Sequence, residues 1–273
     1  WGGLVVDFLT FLVALFTLLM VRIPKPEATT EGQKGKGSFL QETAYGWRYV
    51  RARPGLFALL LFFASLNFSL AFSTILITPL VLSFASPAVV GTVESVGSIG
   101  MLVGGLALSA WGGPRRRITG ILGPSVLIGA AIILSGVQPY AAIIAAGDFI
   151  VSFSIPIVSG CSQAIWQSKT APDIQGRVFS IRAMISWSMT PLSYFLAGIL
   201  ADNVFEPLMA VDGPLASSMG EIIGVGPGRG IGLMFIIMGI LTMIAVVVSF
   251  SYPRLRFLED ELPDMLTEEA SEQ

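Results

Sequence analysis

The chain has 273 residues, of which 53% are hydrophobic and only 12% charged, with 16 Lys and Arg against 18 Asp and Glu for a net charge of −2. An average soluble domain carries about 25% charged residues, and here apolar runs near the length of a bilayer crossing recur, so the composition describes a polytopic helical membrane protein. With no histidine and one cysteine, Cys161, an internal disulfide, a zinc-type site and a histidine general base are all excluded.

The first apolar run, 4–21, predicts a crossing closed by Arg22-Ile23-Pro24-Lys25-Pro26, where the prolines stop a helix. The chain begins at Trp1 inside this run, which reads as a fragment of a longer polypeptide. Residues 27–38 are polar and glycine-rich, as in a solvated linker, and 38–53 form an amphipathic segment suited to the headgroup layer. A second span covers 56–84, is over-long and contains Pro79; a third covers 88–111 and ends at Gly112-Gly113-Pro114-Arg115-Arg116-Arg117. In that third span Gly97, Gly100 and Gly104 recur at helical spacing, a small-residue stripe that lets another helix approach closely.

Further spans are read at 118–136, at 140–165 with Pro156, at 178–200 with Pro191, and at 231–250. Residues 201–230 form an acidic loop with the turn-prone Gly226-Pro227-Gly228, and the tail from Glu259 is acidic and expected to be disordered. This division predicts seven spans. Fifteen of the sixteen basic residues then fall on alternate loops, with Lys169, Arg177 and Arg182 together in one of them and Arg229 alone on the opposite side. By the positive-inside rule the C-terminus is cytoplasmic.

Polar residues inside a span normally face another helix or a water-filled cavity. The second span carries Asn67, Thr74 and Thr78 on one face; the third Glu94, Ser98 and Met101; the fifth Asp148, Ser152, Ser159 and Gln163; the sixth Ser186, Thr190 and Ser193. These four spans read as cavity walls, and the remaining three as lipid-side supports. Asp148 and Glu94 lie about 12 and 9 Å into their spans at 1.5 Å per residue, a depth suited to groups that take and release protons. Each also has a plainer reading as a packing residue, and for the Ser and Thr stripes helix–helix hydrogen bonding is the plainer one.

Gly32-Gln33-Lys34-Gly35-Lys36-Gly37-Ser38 lacks the ordered ending of a phosphate loop, and no strand precedes the glycines of 224–230, so neither nucleotide nor dinucleotide binding is indicated. No nucleophile–base pair is present. The expectation is therefore a protein that is not an enzyme, with no cofactor, no metal and no nucleic-acid partner.

Two segments carry a family resemblance: Tyr45-Gly46-Trp47-Arg48-Tyr49 through Arg53-Pro54-Gly55-Leu56, and Trp166-Gln167-Ser168-Lys169-Thr170-Ala171-Pro172-Asp173 through Gly176-Arg177-Val178-Phe179, together with the arginine loop at 115–117. With them the chain resembles the C-terminal half of a major facilitator superfamily transporter, in the branch of macrolide-efflux-like permeases and enterobactin exporters. The resemblance implies an all-α bundle holding family helices six to twelve. It divides the chain into the last helix of an N-terminal half (1–23), a cytoplasmic inter-half loop (24–54), a C-terminal six-helix half (55–252) and an acidic cytoplasmic tail (253–273).

It further implies a multi-pass protein of the bacterial inner membrane that exports amphipathic drug-, macrolide- or siderophore-like compounds in exchange for protons. Its partners would be the small-molecule substrate, protons, the lipid bilayer and the missing N-terminal half of the same polypeptide. Asp148 and Glu94 become proton-coupling candidates; Asn67, Thr74, Ser152, Ser186, Trp187 and Thr190, with Phe72 and Phe153 nearby, become the substrate path; Arg115, Arg116, Arg117 and Arg177 become cytoplasmic gate or topology residues. The family's loop signature places an aspartate before its basic cluster, whereas Leu108 and Ser109 stand there here. The alternative reading is a membrane-embedded binding or assembly subunit that engages a partner through 38–53.

Overall fold

The computed structural model describes residues 2–21, 39–262 and 264; the linker read at 27–38 and the end of the tail lie outside them. Among the described residues every regular element is helical: α1 (Gly2–Met20), α2 (Phe39–Arg51), α3 (Pro54–Leu82), α4 (Pro87–Trp111), α5 (Arg117–Val137), α6 (Ala141–Ser168), α7 (Gln175–Leu200), a π-turn at Ala201–Phe205, α8 (Glu206–Leu208), α9 (Met219–Ile223), α10 (Arg229–Ser251), α11 (Pro253–Arg256) and α12 (Leu258–Glu261). Six of them (α3, α4, α5, α6, α10 and α7 with its extension to Leu208) are long and apolar enough to cross a membrane, while the apolar part of α1, Val5–Met20, is shorter. The described side chains of α1 are exposed.

Local chemistry sets the helix ends. Pro54 and Pro87 open α3 and α4 at the position where a missing N–H costs nothing. Gly112 ends α4 at φ 76°, a left-handed conformation that favours glycine, and its N–H is donated to the Leu108 carbonyl.

Packing then follows the glycines. On α4, Gly97, Gly100 and Gly104 lie flush against Asp148, Phe149 and Phe153 of α6, so close that a Cβ at any of the three would collide with them. This is the close approach that the small-residue stripe predicts. A second pairing joins α5 to α10, where Gly129 meets Gly239 and Gly136 meets Gly232, each against the other's carbonyl. α6 also packs on α5, and α3 packs on α7 and α10; contacts of α3 with α4, and of Arg182 on α7 with α6, close the row α4–α6–α5–α10–α3–α7 back on itself. The core of this bundle includes Trp166, Phe72, Leu59, Leu80, Ile121, Ile144 and Ile165.

The bundle bears on three expectations. α2, read as a headgroup-layer segment, packs on the bundle: Tyr49 and Val50 are buried, Gly46 rests on the Arg177 carbonyl, and Glu42 pairs with Arg177 at 3.1 Å, so this face of α2 is spent on α7 and α3. The segment 201–230, read as an acidic loop, carries short helical turns at Ala201–Phe205, Glu206–Leu208 and Met219–Ile223. The Glu206 carboxylate accepts the Gly228 and Ile231 N–H groups, both at 3.0 Å, and so caps α10, while Arg229 donates to the Ile223 carbonyl at 3.2 Å.

The third concerns the tail, and here the expectation of disorder from Glu259 is overturned: the chain is helical and docked through 261. Leu255 and Leu258 are buried, and Glu259 accepts the Arg117 and Ile118 N–H groups at 2.9 and 3.0 Å. An acid supplied from α12 thus satisfies the first turn of α5, which tail composition alone could not reveal. Glu259→Gln is expected to lower the stability of the purified protein by about 1 kcal/mol, read as a fall in thermal midpoint, because a charged cap is exchanged for a neutral one. An unchanged midpoint would remove Glu259 from the capping role.

Candidate functional site

Two cavities open between these helices, and α6 lines both. Its polar stripe is divided at Pro156: Asp148 and Ser152 face the first cavity, Ser159 and Gln163 the second.

The first cavity, about 320 Å³, lies between α3, α4 and α6 and is lined by Thr74, Glu94, Ser98, Met101, Asp148 and Ser152, with Ser135 of α5 and Phe235 of α10 at its back. α4 and α6 start at the same end of the bundle, and Glu94 and Asp148 each sit seven residues in, about 10 Å along the axis. Thr78 donates to the Glu94 carboxylate at 3.4 Å. The Asp148 carboxyl packs on bare Gly97 backbone.

The second cavity, about 360 Å³, lies between α3, α6 and α7 and is lined by Phe63, Asn67, Ser159, Gln163, Phe179, Arg182, Ser186 and Trp187. Asn67 donates its side-chain N–H to the Ser186 carbonyl at 3.0 Å, tying α3 to α7. Ser193 donates to the Phe68 carbonyl at 3.1 Å, a second tie between the same helices.

The predicted residues therefore fall into two groups. Asp148, Glu94, Thr74 and Ser152 share one cavity, and Asn67, Ser186 and Trp187 share the other. Thr190 is half-buried and lines neither. Phe72 is fully buried in the core instead of flanking a path.

Arg182 is the residue that sequence reasoning missed. The span read at 178–200 already contains Arg182, yet the charge count places it with Lys169 and Arg177; in the structure it stands two turns inside a membrane-crossing helix. Its guanidinium donates to Gln163 at 2.8 Å and to Ser162 at 3.2 Å, and lies 5.5 Å from the Trp166 ring. A signal was available: Arg182 is four residues before Ser186, on the same helical face as the predicted stripe.

At the arginine-rich end the charges are cross-connected. Arg116 pairs with Asp260 at 3.6 Å, Arg117 donates to the Gly112 carbonyl at 2.6 Å, and buried Lys169 pairs with Asp264 at 3.0 Å while donating to the Glu259 carbonyl at 2.8 Å. Arg115 is exposed. The acids absent from the end of α4 are thus supplied by the docked tail. Among the described residues no three His, Cys, Asp or Glu side chains converge as a metal site would require.

A family model described as Major Facilitator Superfamily matches residues 1–194. Macrolide efflux protein A of Streptococcus pyogenes is 30% identical over 203 residues, which is 73% of this chain and 50% of that protein. Macrolide efflux protein A of Enterococcus faecalis is 30% identical over 191 residues, 68% of this chain and 58% of that protein. The chain spans about half the length of these curated relatives. No solved structure matches it. With an all-helical bundle whose long apolar helices are joined in this order, and a family model that covers most of its length, the chain belongs to the Major Facilitator Superfamily.

Proposed function

We propose that the polypeptide carrying this chain is a secondary transporter that exports amphipathic organic compounds across a bacterial inner membrane by alternating access, driven by proton exchange. The observation that carries this reading is the placement of Glu94 and Asp148, from two different helices, on one cavity about 10 Å inside the bundle. Binding or releasing one proton there changes the cavity charge by one unit where charge is expensive, and that energy is what a rocking bundle needs to couple ion and substrate movement.

Thr74 and Ser152 line the same space; Asn67, Ser186 and Trp187 line the second cavity, and both belong to the substrate path. In this reading the arginine-rich end, with the docked tail, is cytoplasmic, because Lys and Arg are retained on that side. Residues 55–252 are one transport half, joined through 24–54 to the half that 1–23 completes. Arg116, Arg117 and Arg177 then hold the cytoplasmic ends of α4, α5 and α7 through Asp260, the Gly112 carbonyl and Glu42. Names of the relatives support macrolide-like compounds as the first substrates to try.

The alternative, a subunit that recruits a partner through α2, needs a free apolar face on that helix, and Tyr49 and Val50 are already buried within the chain. The test is uptake of a radiolabelled macrolide into everted membrane vesicles. Transport should collapse when an ionophore dissipates the proton gradient; accumulation that ignores the gradient would sink proton coupling, and no accumulation with any amphipathic compound would sink export.

A further inference from the structure

Arg182 is the one intramembrane cation of the second cavity, and among the described residues no carboxylate lies within ion-pair distance of it. Its partners, Gln163 and Ser162, are neutral and occupy two of the five N–H donors of a guanidinium. A charge held inside a membrane span normally has a counter-charge, because desolvating it alone is costly. Beside it Ser186 is buried to 5% exposure, lines the same cavity, and its hydroxyl has no hydrogen-bond partner. Phe63, Phe179 and the exposed Trp187 ring form apolar walls around these polar groups.

We propose that this cavity is a subsite for the anionic head of an amphipathic organic solute, a carboxylate or sulfonate, with its apolar body against Phe179 and Trp187. Arg182 supplies the counter-charge through its remaining donors and the Ser186 hydroxyl donates a further hydrogen bond. Gln163 and Ser162 orient the guanidinium from one side, which leaves the cavity side to the ligand. Among the described residues the first cavity is lined by two carboxyl groups and no Lys or Arg, so the two ends of α6 offer a ligand different chemistry. The inference names a substrate class for the transport reading and rests on it, yet it is tested by binding alone.

The natural polypeptide would be purified into phosphatidylcholine nanodiscs and titrated with dansyl-aminohexanoate and with its uncharged methyl amide, read by energy transfer from tryptophan. The carboxylate should bind more tightly than the amide. Arg182→Gln should weaken the carboxylate by about ten-fold or more and the amide by less than about two-fold, while Arg182→Lys recovers part of the loss. Ser186→Ala, which only removes a hydroxyl, should weaken the carboxylate a few-fold, and it decides the matter should Arg182→Gln fail to fold.

Equal binding of the two probes to the unaltered protein, or equal weakening of both in the variants, would overturn the proposal and leave Arg182 a packing residue between α6 and α7. Displacement of the carboxylate by phosphatidylglycerol added to the disc would also overturn it, by assigning the anion to lipid. Absence of a charge preference in the unaltered protein alongside intact gradient-driven efflux removes the anion subsite only; a preference in the unaltered protein without efflux removes the transport reading only.

Discussion

Asp148→Asn in the natural polypeptide is expected to reduce gradient-driven efflux by about ten-fold or more, the scale of a site-to-site coupling of 1–3 kcal/mol, while the amount of folded protein in the membrane is unchanged. The reason for expecting intact folding is geometric. The carboxyl packs on the bare backbone of Gly97, and asparagine has nearly the same shape, so the α4–α6 contact survives the exchange. What disappears is the exchangeable proton. Glu94→Gln should have a smaller effect, because Glu94 is exposed and already accepts a hydrogen bond from Thr78, which an amide oxygen can also accept. Everted vesicles with an imposed pH gradient give the measurement, and full coupling in Asp148→Asn would return this carboxyl to a packing role.

Gly104→Leu should have the largest effect on the fold. The glycine lies on the Phe153 backbone of α6, where no side chain can be accommodated by a rotamer change, so the helices themselves must separate. Overpacking of this kind costs about 1–3 kcal/mol, and in a chain of this size lowers the thermal midpoint by roughly 2–4 °C for each of those. Gly105 is the matched control: one residue along the same helix, it has nothing within 4 Å of its added Cβ. Gly105→Ala should leave the midpoint within a degree or two or raise it slightly, since alanine is the better helix former. Equal loss at both positions would mean that helix flexibility, not contact with α6, explains the stripe.

These two residues also show what could be read before the structure. Gly104 was legible because a small-residue stripe at helical spacing has one common use inside a membrane, although nothing in the stripe says which helix fills it. The Gly129/Gly136 and Gly232/Gly239 pairs were written at equal spacing in two helices, yet without a polar stripe to draw attention they passed as lipid-side support. Asp148 and Glu94 stood out because a carboxyl within an apolar run is conspicuous. Their meeting in one cavity was not legible, since it depends on α4 and α6 crossing with Gly97 opposite Asp148.

Arg182 escapes a simple charge count for a different reason. The count groups Lys169, Arg177 and Arg182, yet α7 begins at Gln175 and carries both arginines, Arg177 in its first turn and Arg182 more than a turn further in. The tail failed through composition: Glu259, Asp260 and Glu261 look solvated as a run, but Leu255 and Leu258 anchor them and the free N–H groups of α5 give Glu259 a partner. Acidic character describes what a segment would do alone, and here it is not alone.

The residues alone carry the all-helical membrane character, the approximate bounds of the long helices, and which of them have polar faces. Those properties are local. They follow from bilayer thickness, from the missing N–H of proline and from the cost of bare polar groups in hydrocarbon, all of which act within one segment. Only the packed bundle shows that the α6 stripe serves two cavities, one lined by two carboxyl groups and the other by Arg182, that Arg182 faces neutral partners, and that the acids latching the arginine loop come from the docked tail. Those properties depend on contacts between residues up to 142 positions apart, and no periodicity within one helix specifies the helix it will meet.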